Sequence, residues 1–484
     1  MTSDHTDDIK SSDSPTWRRP YERIVRRMGI ELTCAGVVII AVMFFALHHT
    51  FLPSVGIIAG VCVVFLAFLL GPYVGFTLYF ATTFVKGIPL PIIPFSLNQI
   101  AGVVFIISWL NYFWRGKTER IRSPLLPALS LMTLYFAINA LTGESFEGGV
   151  SYFRFLFVYF VLCLFLSSMM MNKRAADTVL WIILILTFLS SLVGVAEIVL
   201  QRDVFGSSRG VWQGMFRING LAPNAIYFGY NLLFAFPFGY YLFISHKERL
   251  SGWIALWLSL FIVFLSLFTF NRQTIIIIAF TFFLVALLFR DVYSRTLLIG
   301  LAIAGIIILP FVAGRLVSRL ATLGDITRDF SYMQRRDSFL IACEMLKKKP
   351  LTGVGLGSYH KVWEEYYPEN TQVAQYLPGA EKYPDLGYMQ VLTEGGIIGF
   401  MLFIYALFTF LKYLITMRRD ALHKGENDWA HFIGSIIVGF LIFILLTFTQ
   451  DTFLYARVWF FYGIVLSLAS PRLRESFRIG ERTS

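Results

Sequence analysis

Charged residues are scarce in this chain. Of its 484 residues only 15% are charged while 57% are hydrophobic, and the mean hydropathy is +0.67. A water-soluble protein of this length would divide into roughly three domains, each with a polar surface around its own core. The composition excludes that class and predicts an integral membrane protein.

Cysteine is sparse as well. Cys34, Cys62 and Cys163 lie within apolar runs, and Cys343 stands alone in a long loop. This spacing forms neither a disulfide framework nor a metal-ligand cluster, so we predict no metal and no other cofactor. Acidic residues are missing near the middle of the apolar runs, which argues against a proton- or sodium-coupled transporter.

The N-terminal segment lacks the apolar core of a cleavable signal peptide. Residues 1–29 are instead polar and basic, and we predict a disordered cytoplasmic tail. The net charge of +11 could suggest nucleic-acid binding, but the basic residues lie in short loops rather than on one amphipathic face. Their placement is typical of membrane orientation signals, and we predict no nucleic-acid partner.

Long apolar runs are abundant. A membrane-spanning helix needs about 20 apolar residues, and inside lipid such a run must pair its own backbone groups as a helix. We therefore predict an all-α, polytopic transmembrane bundle of about fourteen helices. The runs are 30–47, 53–70, 72–86, 95–114, 124–141, 152–171, 178–200, 223–244, 252–270, 273–289, 296–313, 394–415, 431–450 and 453–470.

Basic residues alternate between successive loops, as the positive-inside rule requires. This alternation predicts that both termini are cytoplasmic and that the chemistry lies on the outer face. The predicted organisation is a cytoplasmic tail (1–29), eleven helices (30–313), a long extracytoplasmic loop (314–393), three helices (394–470) and a cytoplasmic tail (471–484). The basic loops hold Arg115, Lys117, Arg120, Arg122, Lys173, Arg174, Lys247, Arg249, Arg290, Arg295, Arg418, Arg419, Lys424, Arg472, Arg474, Arg478 and Arg482.

The long outer loop is rich in aromatic residues and has an amphipathic stretch at Phe339–Leu346, so we expect it to be folded. Its segment Gly353-Val-Gly355-Leu-Gly357-Ser358 resembles a nucleotide-binding loop. A dinucleotide fingerprint needs a strand before it and a helix after it, and here an amphipathic helix and Pro350 come before it. A tight turn at the membrane surface is the better interpretation.

Several arginines share the predicted outer side. Most arginines at helix ends are interfacial anchors, and each of these arginines taken alone would be interpreted as an anchor. Their convergence favours a ligand site, because guanidinium groups bind phosphate oxygens in pairs and a cluster suits a pyrophosphate. The candidates are Arg217, Arg272, Arg335, Arg336 and Arg154.

Acid-base candidates also lie on the outer side, although a single loop carboxylate is usually just solvated. Asp385 directly precedes an apolar re-entry, and His360 could titrate near neutral pH. Glu197 lies near the outer end of its helix, where an uncompensated carboxylate is costly. Further candidates are Glu364, Glu365, Glu381, Glu394 and Asp451.

Three patches resemble the O-antigen ligase and polymerase superfamily of bacterial surface polysaccharide synthesis. The first is Phe216-Arg-Ile-Asn-Gly-Leu-Ala-Pro-Asn224, and the second is Asn271-Arg272-Gln273 between paired helices. The third runs from Arg335 through Lys349-Pro-Leu-Thr-Gly-Val-Gly-Leu-Gly357 and resumes at Asp385-Leu-Gly-Tyr-Met-Gln-Val-Leu-Thr-Glu-Gly-Gly-Ile-Ile-Gly399. Their order and the helix count extend the likeness over about residues 150–420.

This resemblance implies a metal-independent, GT-C-like membrane glycosyltransferase of the bacterial cytoplasmic membrane. Its donor and acceptor would be polyprenyl-pyrophosphate-linked oligosaccharides, with membrane lipids, a chain-length regulator and a flippase as further candidate partners. Arg217, Arg272 and Arg335 would hold the donor pyrophosphate. Asn224, Tyr388 and Glu394 would support the site, and Asp385 or His360 would be the catalytic base.

One departure from the family pattern bears on the reaction. Ligases typically have a His-Asn pair where this chain has Asp385-Leu386. The replacement favours a Wzy-like polymerase over a ligase that transfers glycan to lipid A core. Three other readings remain open: a flippase or exporter of lipid-linked glycans, a glycosyltransferase of the shape, elongation and division group, and a non-catalytic scaffold.

Overall fold

The structure is a computed structural model that describes ten segments of the chain. The predicted helices 30–47, 53–70 and 296–313 lie outside these segments, as do Asn224 and Asp385. The described segments are 72–83, 97–114, 123–169, 172–202, 211–212, 215–222, 225–289, 330–367, 386–448 and 456–483.

The chain divides into two compact units, and the smaller one contains helices α1 (Pro72–Thr82) and α2 (Leu97–Trp114). These helices pack closely because Gly75 has no side chain: a Cβ there would lie 2.9 Å from the Cα of Phe105. The rings of Phe76 and Phe105 meet edge to face at 6.1 Å. Small residues at such contacts let apolar helices approach within a bilayer.

The larger unit contains the remaining described helices and one short β-hairpin. Its strands β1 (Val211–Trp212) and β2 (Met215–Phe216) are antiparallel. The helices are α3 (Leu125–Thr142), α4 (Phe146–Met169), α5 (Lys173–Leu200), α6 (Ala225–Ser245), α7 (Leu250–Leu267), α8 (Arg272–Phe289), α9 (Phe330–Lys348), α10 (Tyr359–Val362), α11 (Gly387–His423), α12 (Asn427–Thr447), α13 (Ala456–Ser467) and α14 (Pro471–Thr483), with a 3₁₀ turn at Trp363–Tyr366.

Six of the described helices are long and apolar enough to cross a membrane: α3, α4, α5, α7, α11 and α12. The prediction of a polytopic, all-α membrane protein is therefore confirmed. Each helix from α1 to α8 coincides with a predicted apolar run, because the need to pair backbone groups in lipid leaves such runs no other regular structure.

Helix α6 is the core of the larger unit and packs against α5, α7, α8 and α12. Nearly all its side chains are buried, including both tyrosines of the pair Tyr240–Tyr241. Phe236 meets Phe282 of α8 edge to face at 4.9 Å. Helices α6 and α8 begin where α5 and α7 end, because Glu197 near the end of α5 bonds Asn219 before α6, and Thr269 after α7 bonds Arg217. Helix α12 ends there too, since its first turn pairs with the start of α5. We call this the Arg217 end of the bundle, and the opposite one the Glu426 end.

Helix α11 is interrupted at Gly396, whose φ of 63° and ψ of −170° are not helical. A helix restarting after such a break has N–H groups without partners in the helix. Carbonyl groups of the preceding loop accept two of them: Ile397 N donates to Pro350 at 2.9 Å, and Ile398 N donates to Leu351 at 3.2 Å. The break is therefore filled by the loop that follows α9.

The same loop also donates hydrogen bonds to carbonyl groups of the helical segment that ends at the break. Val354 N donates to the carbonyl of Thr393, and Gly355 N donates to the carbonyl of Glu394, both at 3.0 Å. Residues 350–355 thus bond to both sides of Gly396. This is the tight turn predicted for the glycine-rich segment, and its backbone groups are used in the fold rather than left for a nucleotide.

At the Glu426 end, a buried carboxylate joins α5 to α6. Asp177 of α5 accepts a hydrogen bond from the Tyr241 hydroxyl at 3.2 Å and lies 3.1 Å from His246 Nε2. Lys173 forms an ion pair with Asp428 at the start of α12. These contacts fix the helix ends that carry the basic loops.

The C-terminal segment, predicted as a tail, forms helix α14 and packs on the Glu426 end. Its apolar face is buried, since Leu473 and Phe477 are both 0% exposed. The Phe477 ring meets Trp429 at 4.7 Å. Its polar face is held by Glu426, which bonds Arg474 Nε at 3.0 Å and Arg478 Nε at 2.6 Å.

We expect Glu426→Gln to loosen α14. Burial raises the pKa of Glu426, but the hydrogen bonds from Arg474 and Arg478 outweigh it, so the pKa lies below its usual value. A carboxylate with a depressed pKa in the folded state stabilises that state at pH values above the unfolded pKa of about 4.3. This stability is lost as pH falls through the folded pKa. Because both arginines are partly exposed, we expect a loss of about 1–3 kcal/mol at pH 7.

Hydrogen exchange of residues 471–483, measured against pH, checks this expectation. In wild type, protection should fall as the solution is acidified below about pH 4. In Glu426→Gln, protection should be low already at pH 7 and should change little on acidification. Glu475→Gln, an exposed position on the same helix, is the control. Equal protection in Glu426→Gln and wild type at pH 7 would contradict the role of this ion pair.

Candidate functional site

Arg217 lies in the segment 217–219, between the β-hairpin and α6. Its Nε donates a hydrogen bond to the carbonyl oxygen of Thr269 at 2.8 Å. Thr269 belongs to the turn between α7 and α8, three residues before Arg272, which is the first residue of α8. Two patches that sequence analysis singled out for their arginines are therefore brought together at the Arg217 end.

The carboxylate of Glu197 fixes the loop that carries Arg217. Glu197 lies near the C-terminal end of α5 and is 0% exposed. Its Oε2 accepts hydrogen bonds from the backbone N–H groups of Asn219 and Gly220, both at 2.8 Å. A charged acceptor bonded to two backbone donors offsets much of the cost of burying it. Glu197 thus ties the segment that carries Arg217 to the end of α5.

The start of α8 is ordered by polar side chains. Asn271 caps the helix, its Oδ1 accepting a hydrogen bond from Gln273 N at 3.2 Å. The hydroxyl of Tyr230 in α6 donates to the side-chain oxygen of Gln273. Helix N-termini carry a partial positive charge, so this point favours an anion.

Strain is concentrated in the same turn. Phe270 has φ 45°, a conformation that bulky residues rarely adopt. Such strain costs about 1–3 kcal/mol and persists where the surrounding structure enforces it, often at functional sites. Here the neighbouring carbonyl of Thr269 is the acceptor for Arg217.

A second group of predicted residues surrounds the glycine-rich turn after α9. Asn139 of α3 anchors the turn on both sides: its Nδ2 donates to the Thr352 carbonyl at 2.7 Å, and its Oδ1 accepts from Leu356 N at 2.6 Å. Asn139 is 4% exposed, so both bonds are sheltered from water. The turn is therefore held against the end of α3 as well as against α11.

His360 follows this turn, in the short helix α10. Its ring stacks on Tyr152 of α4 at 5.3 Å and is partly buried. Arg154 lies two residues further along α4, is exposed and has its guanidinium 5.3 Å from the Phe155 ring centre. Residues two apart on a helix point to different sides, so Tyr152 faces His360 while Arg154 does not.

Glu394 and Tyr388 both lie in the first part of α11 and bond to backbone. Glu394 is 2% exposed, and its Oε1 accepts a hydrogen bond from Tyr359 N at 3.3 Å, next to His360. The Tyr388 hydroxyl donates to the carbonyl of Ile444 in α12 at 3.3 Å. These contacts position α10 and α11, and the predicted supporting roles of both residues stay predictions.

Arg335 and Arg336 lie on α9. Arg336 is exposed and bonds Asp337 Oδ1 at 3.1 Å, and Asp337 itself is 1% exposed. Arg335 is partly buried, and its Nε has no hydrogen-bond partner in the part of the chain that the structure describes. Of the two, Arg335 is therefore the better placed for a ligand.

An open cleft of about 380 Å³ lies between the end of α3 and the glycine-rich turn. At its edge Glu144 pairs with Lys349 at 3.0 Å and accepts a hydrogen bond from the Tyr366 hydroxyl at 2.5 Å. Burial and this carboxylate raise the pKa of Tyr366. The cleft is lined by Asn139, Thr142, Gly143, Lys348, Lys349, Pro350, Leu351, Thr352, Gly353 and Gly355.

The predicted site residues thus fall into two groups. Arg217 and the first residue of α8 form one, and His360 and Glu394 lie beside the glycine-rich turn in the other, whereas no hydrogen bond or ion pair joins Arg335 or Arg336 of α9 to that turn in the described part of the chain. Within the described ranges no cluster of three or more His, Cys, Asp or Glu side chains could hold a metal ion. Asn224 and Asp385 lie outside the described residues.

Sequence analysis missed Asn139 and Glu144 as residues of the second group, and it named Asn271 only as part of the second patch, without a role. Asn139 gave one usable signal, because an amide within an apolar run must find partners in the protein. Glu144 lies in a short link between helices, where polar residues are ordinary, so no signal in the sequence marked it.

Comparison with known families identifies part of the chain. Residues 251–404 match the family described as O-antigen ligase. The match covers α7, α8, α9 and the glycine-rich turn, and it ends within α11 just beyond the break at Gly396. No curated protein matches the chain. This part of the chain is therefore similar to the O-antigen ligase family, and it contains the second and third of the sequence patches from which that resemblance was predicted.

Proposed function

We propose that this protein polymerises polyprenyl-pyrophosphate-linked oligosaccharide repeat units on the outer face of the bacterial cytoplasmic membrane. The family supports a membrane enzyme that acts on lipid-linked glycans. The observation that carries the proposal is the hydrogen bond from Arg217 to Thr269, which joins the Arg217 loop to the turn before Arg272. Two arginines beside a helix N-terminus suit the diphosphate of such a donor.

The distribution of charge supports the orientation. Basic residues of described segments that are predicted to be cytoplasmic lie at the Glu426 end, namely Lys173, Arg249 and the arginines of α14. Under the positive-inside rule that end faces the cytoplasm. The Arg217 end then faces outward, where the head group of a polyprenyl lipid lies at the depth of the helix ends.

In the proposed reaction, a hydroxyl oxygen of the acceptor sugar attacks the anomeric carbon of the donor glycan. The bond from that carbon to the diphosphate oxygen breaks, and the polyprenyl diphosphate leaves with the electron pair. Arg217 and Arg272 stabilise the negative charge that develops on the leaving group. The hydroxyl proton passes to a general base.

Asp385 is the proposed base, with His360 as the alternative. In the sequence Asp385 immediately precedes Leu386, the residue that caps α11. His360 is partly buried against Tyr152, beside the residue whose backbone N–H bonds Glu394. A carboxylate and an imidazole would give different pH-rate profiles, which distinguishes them.

The second candidate function is that of a ligase, because the matching family is described as O-antigen ligase. A ligase would move a finished glycan from its polyprenyl carrier to another acceptor. The absence of the His-Asn pair at Asp385-Leu386 favours polymerisation. Both reactions use the same donor diphosphate, so the arginine site is common to them.

The test is glycan length in a deletion strain complemented with wild type, Arg217→Ala, Arg272→Ala or Asp385→Asn. We expect the deletion strain to accumulate single repeat units on their carrier. Loss of one charge-stabilising group from an active site costs roughly 10²–10³ in rate, so each arginine variant should fail to restore long chains. Arg249→Ala, an exposed arginine at the Glu426 end, is the matched control and should restore them.

Membrane levels of each variant are compared by immunoblotting, so that loss of protein is not read as loss of activity. Long chains left on the polyprenyl carrier in the deletion strain would establish a ligase instead. Fully transferred glycan of normal length in that strain would reject both enzymes and favour an exporter or a scaffold.

A further inference from the structure

Asn271 is a buried side chain whose hydrogen-bonding capacity is only partly used. It is 9% exposed and caps α8 at the residue before Arg272. Its Nδ2 has no hydrogen-bond partner among the residues that the structure describes. A buried donor without a partner costs about 1–3 kcal/mol, so this amide calls for a partner outside the described residues.

The orientation of this amide follows from its other bond. Gln273 N lies 3.2 Å from Asn271 Oδ1, and a backbone N–H can only donate. The oxygen of the amide must therefore face the first turn of α8, which leaves the Nδ2 group facing away from it. The amide cannot be turned over without losing the helix cap.

The surroundings of the Nδ2 group favour an anion. It lies at the N-terminus of an 18-residue helix, where the partial positive charge of the helix is concentrated. Arg217 is bonded to Thr269, two residues before Asn271. A phosphate oxygen accepts a hydrogen bond from an amide and is attracted by both positive groups.

We propose that Asn271 Nδ2 donates a hydrogen bond to a phosphate oxygen of the lipid-linked diphosphate, and so helps select that group. The proposal rests on the proposed function, because it takes the donor diphosphate as the ligand of the Arg217 end. It assigns Asn271 a second task beside capping α8. The residue is therefore a ligand-binding residue rather than a structural cap alone.

Asn271→Asp separates these two tasks. A carboxylate is as good a helix cap as an amide, so α8 should keep its start. The same change replaces the donor by a negative charge facing the diphosphate. Asn172→Asp is the matched control, because Asn172 caps α5 at the Glu426 end by accepting from Ala175 N at 2.9 Å.

Binding is measured on the full-length protein in nanodiscs of phosphatidylcholine, which carry no net lipid charge. The probes are a polyprenyl diphosphate, the matching polyprenyl monophosphate and inorganic diphosphate. We expect Asn271→Asp to weaken polyprenyl diphosphate binding about tenfold or more, since a charge-assisted bond is lost and a repulsion added. The affinity of Asn271→Asp for inorganic diphosphate should fall in parallel, and Asn172→Asp should bind all three probes as wild type does.

Asn271→Ser provides a second variant if the aspartate disturbs folding. Serine retains the cap but cannot place a donor where the amide nitrogen lies, so we expect a smaller loss of binding and the thermal stability of wild type. Wild-type affinity in Asn271→Asp would overturn the inference and leave the proposed function standing. The inference would also be overturned if Asn271→Asp bound polyprenyl diphosphate more weakly but bound inorganic diphosphate as wild type does.

The failure of the proposed function has a different signature. Wild-type protein that binds none of the three probes would overturn the donor site at the Arg217 end, and the inference with it. Equal losses of thermal stability and binding in both Asn271 variants would show a purely structural cap. A loss of diphosphate affinity at unchanged stability supports the inference.

Discussion

Gly396→Ala is expected to destabilise the protein by roughly 2–4 kcal/mol, because it adds steric overlap to an unfavourable backbone conformation. Gly396 has φ 63° and ψ −170°, a backbone conformation that essentially only glycine adopts, so alanine is strained there by about 1–3 kcal/mol. An added Cβ would also overlap the Leu351 carbonyl and lie 2.5 Å from Gly353 N. Those atoms belong to the loop that forms hydrogen bonds with the backbone on both sides of the break in α11. The loop therefore cannot move away from an added Cβ without losing those hydrogen bonds.

Gly425 supplies the matched control. Its φ of 70° is close to that of Gly396, but a Cβ there would meet nothing within 4 Å. Gly425→Ala therefore measures the cost of a positive φ without steric overlap, about 1–2 kcal/mol. The comparison is made by thermal unfolding of detergent-purified protein, followed by tryptophan fluorescence. Equal losses in the two variants would show that the turn after α9 does not fill the break as tightly as the structure indicates.

The membrane helices could be predicted from the sequence because one physical requirement dominates them. A run of about 20 apolar residues in lipid has to pair its own backbone groups, so its position and structure are fixed together. Helices α3, α5 and α8 begin and end within a few residues of the predicted runs 124–141, 178–200 and 273–289, with the largest difference at the start of α5. Tertiary contacts were not needed for these assignments.

The break in α11 could not be predicted in the same way. Gly395-Gly396 interrupts a helix, whereas Gly148-Gly149 lies inside α4, where it allows close contact with the backbone of Ala140. The same dipeptide therefore has opposite effects in the two helices. Whether the dipeptide breaks a helix depends on whether another segment can accept hydrogen bonds from the freed N–H groups, as residues 350–355 do. The local sequence does not contain that information.

The candidate site was predicted in part. The arginines of two patches were expected to converge because both lie on the predicted outer side, and the contact between Arg217 and Thr269 brings those patches together. Glu197 was identified only as a costly carboxylate. Its partners are backbone N–H groups, which every residue possesses, so no side-chain pattern could have revealed them.

Glu197→Ala is expected to abolish chain elongation without removing any group from the proposed diphosphate site. The change deletes the acceptor of two hydrogen bonds to charge, each worth about 1.5–3 kcal/mol, and leaves the N–H groups of Asn219 and Gly220 buried. The loop then loses the conformation that carries Arg217. Since a misplacement of about 1 Å can cost 10²-fold in rate, we expect a loss of at least that size in a polymerisation assay with purified lipid-linked repeat units.

Glu197→Gln and Asp177→Asn show whether positioning is the cause. Glutamine keeps an oxygen that can accept both hydrogen bonds, although neutral bonds are roughly half as strong, so we expect it to retain much of the activity that alanine loses. Asp177 is a buried carboxylate at the Glu426 end, and its replacement should lower thermal stability while leaving the turnover of the folded fraction unchanged. If glutamine were as inactive as alanine, the negative charge of Glu197 would be required in its own right, and hydrogen bonding to the Arg217 loop would not account for its burial.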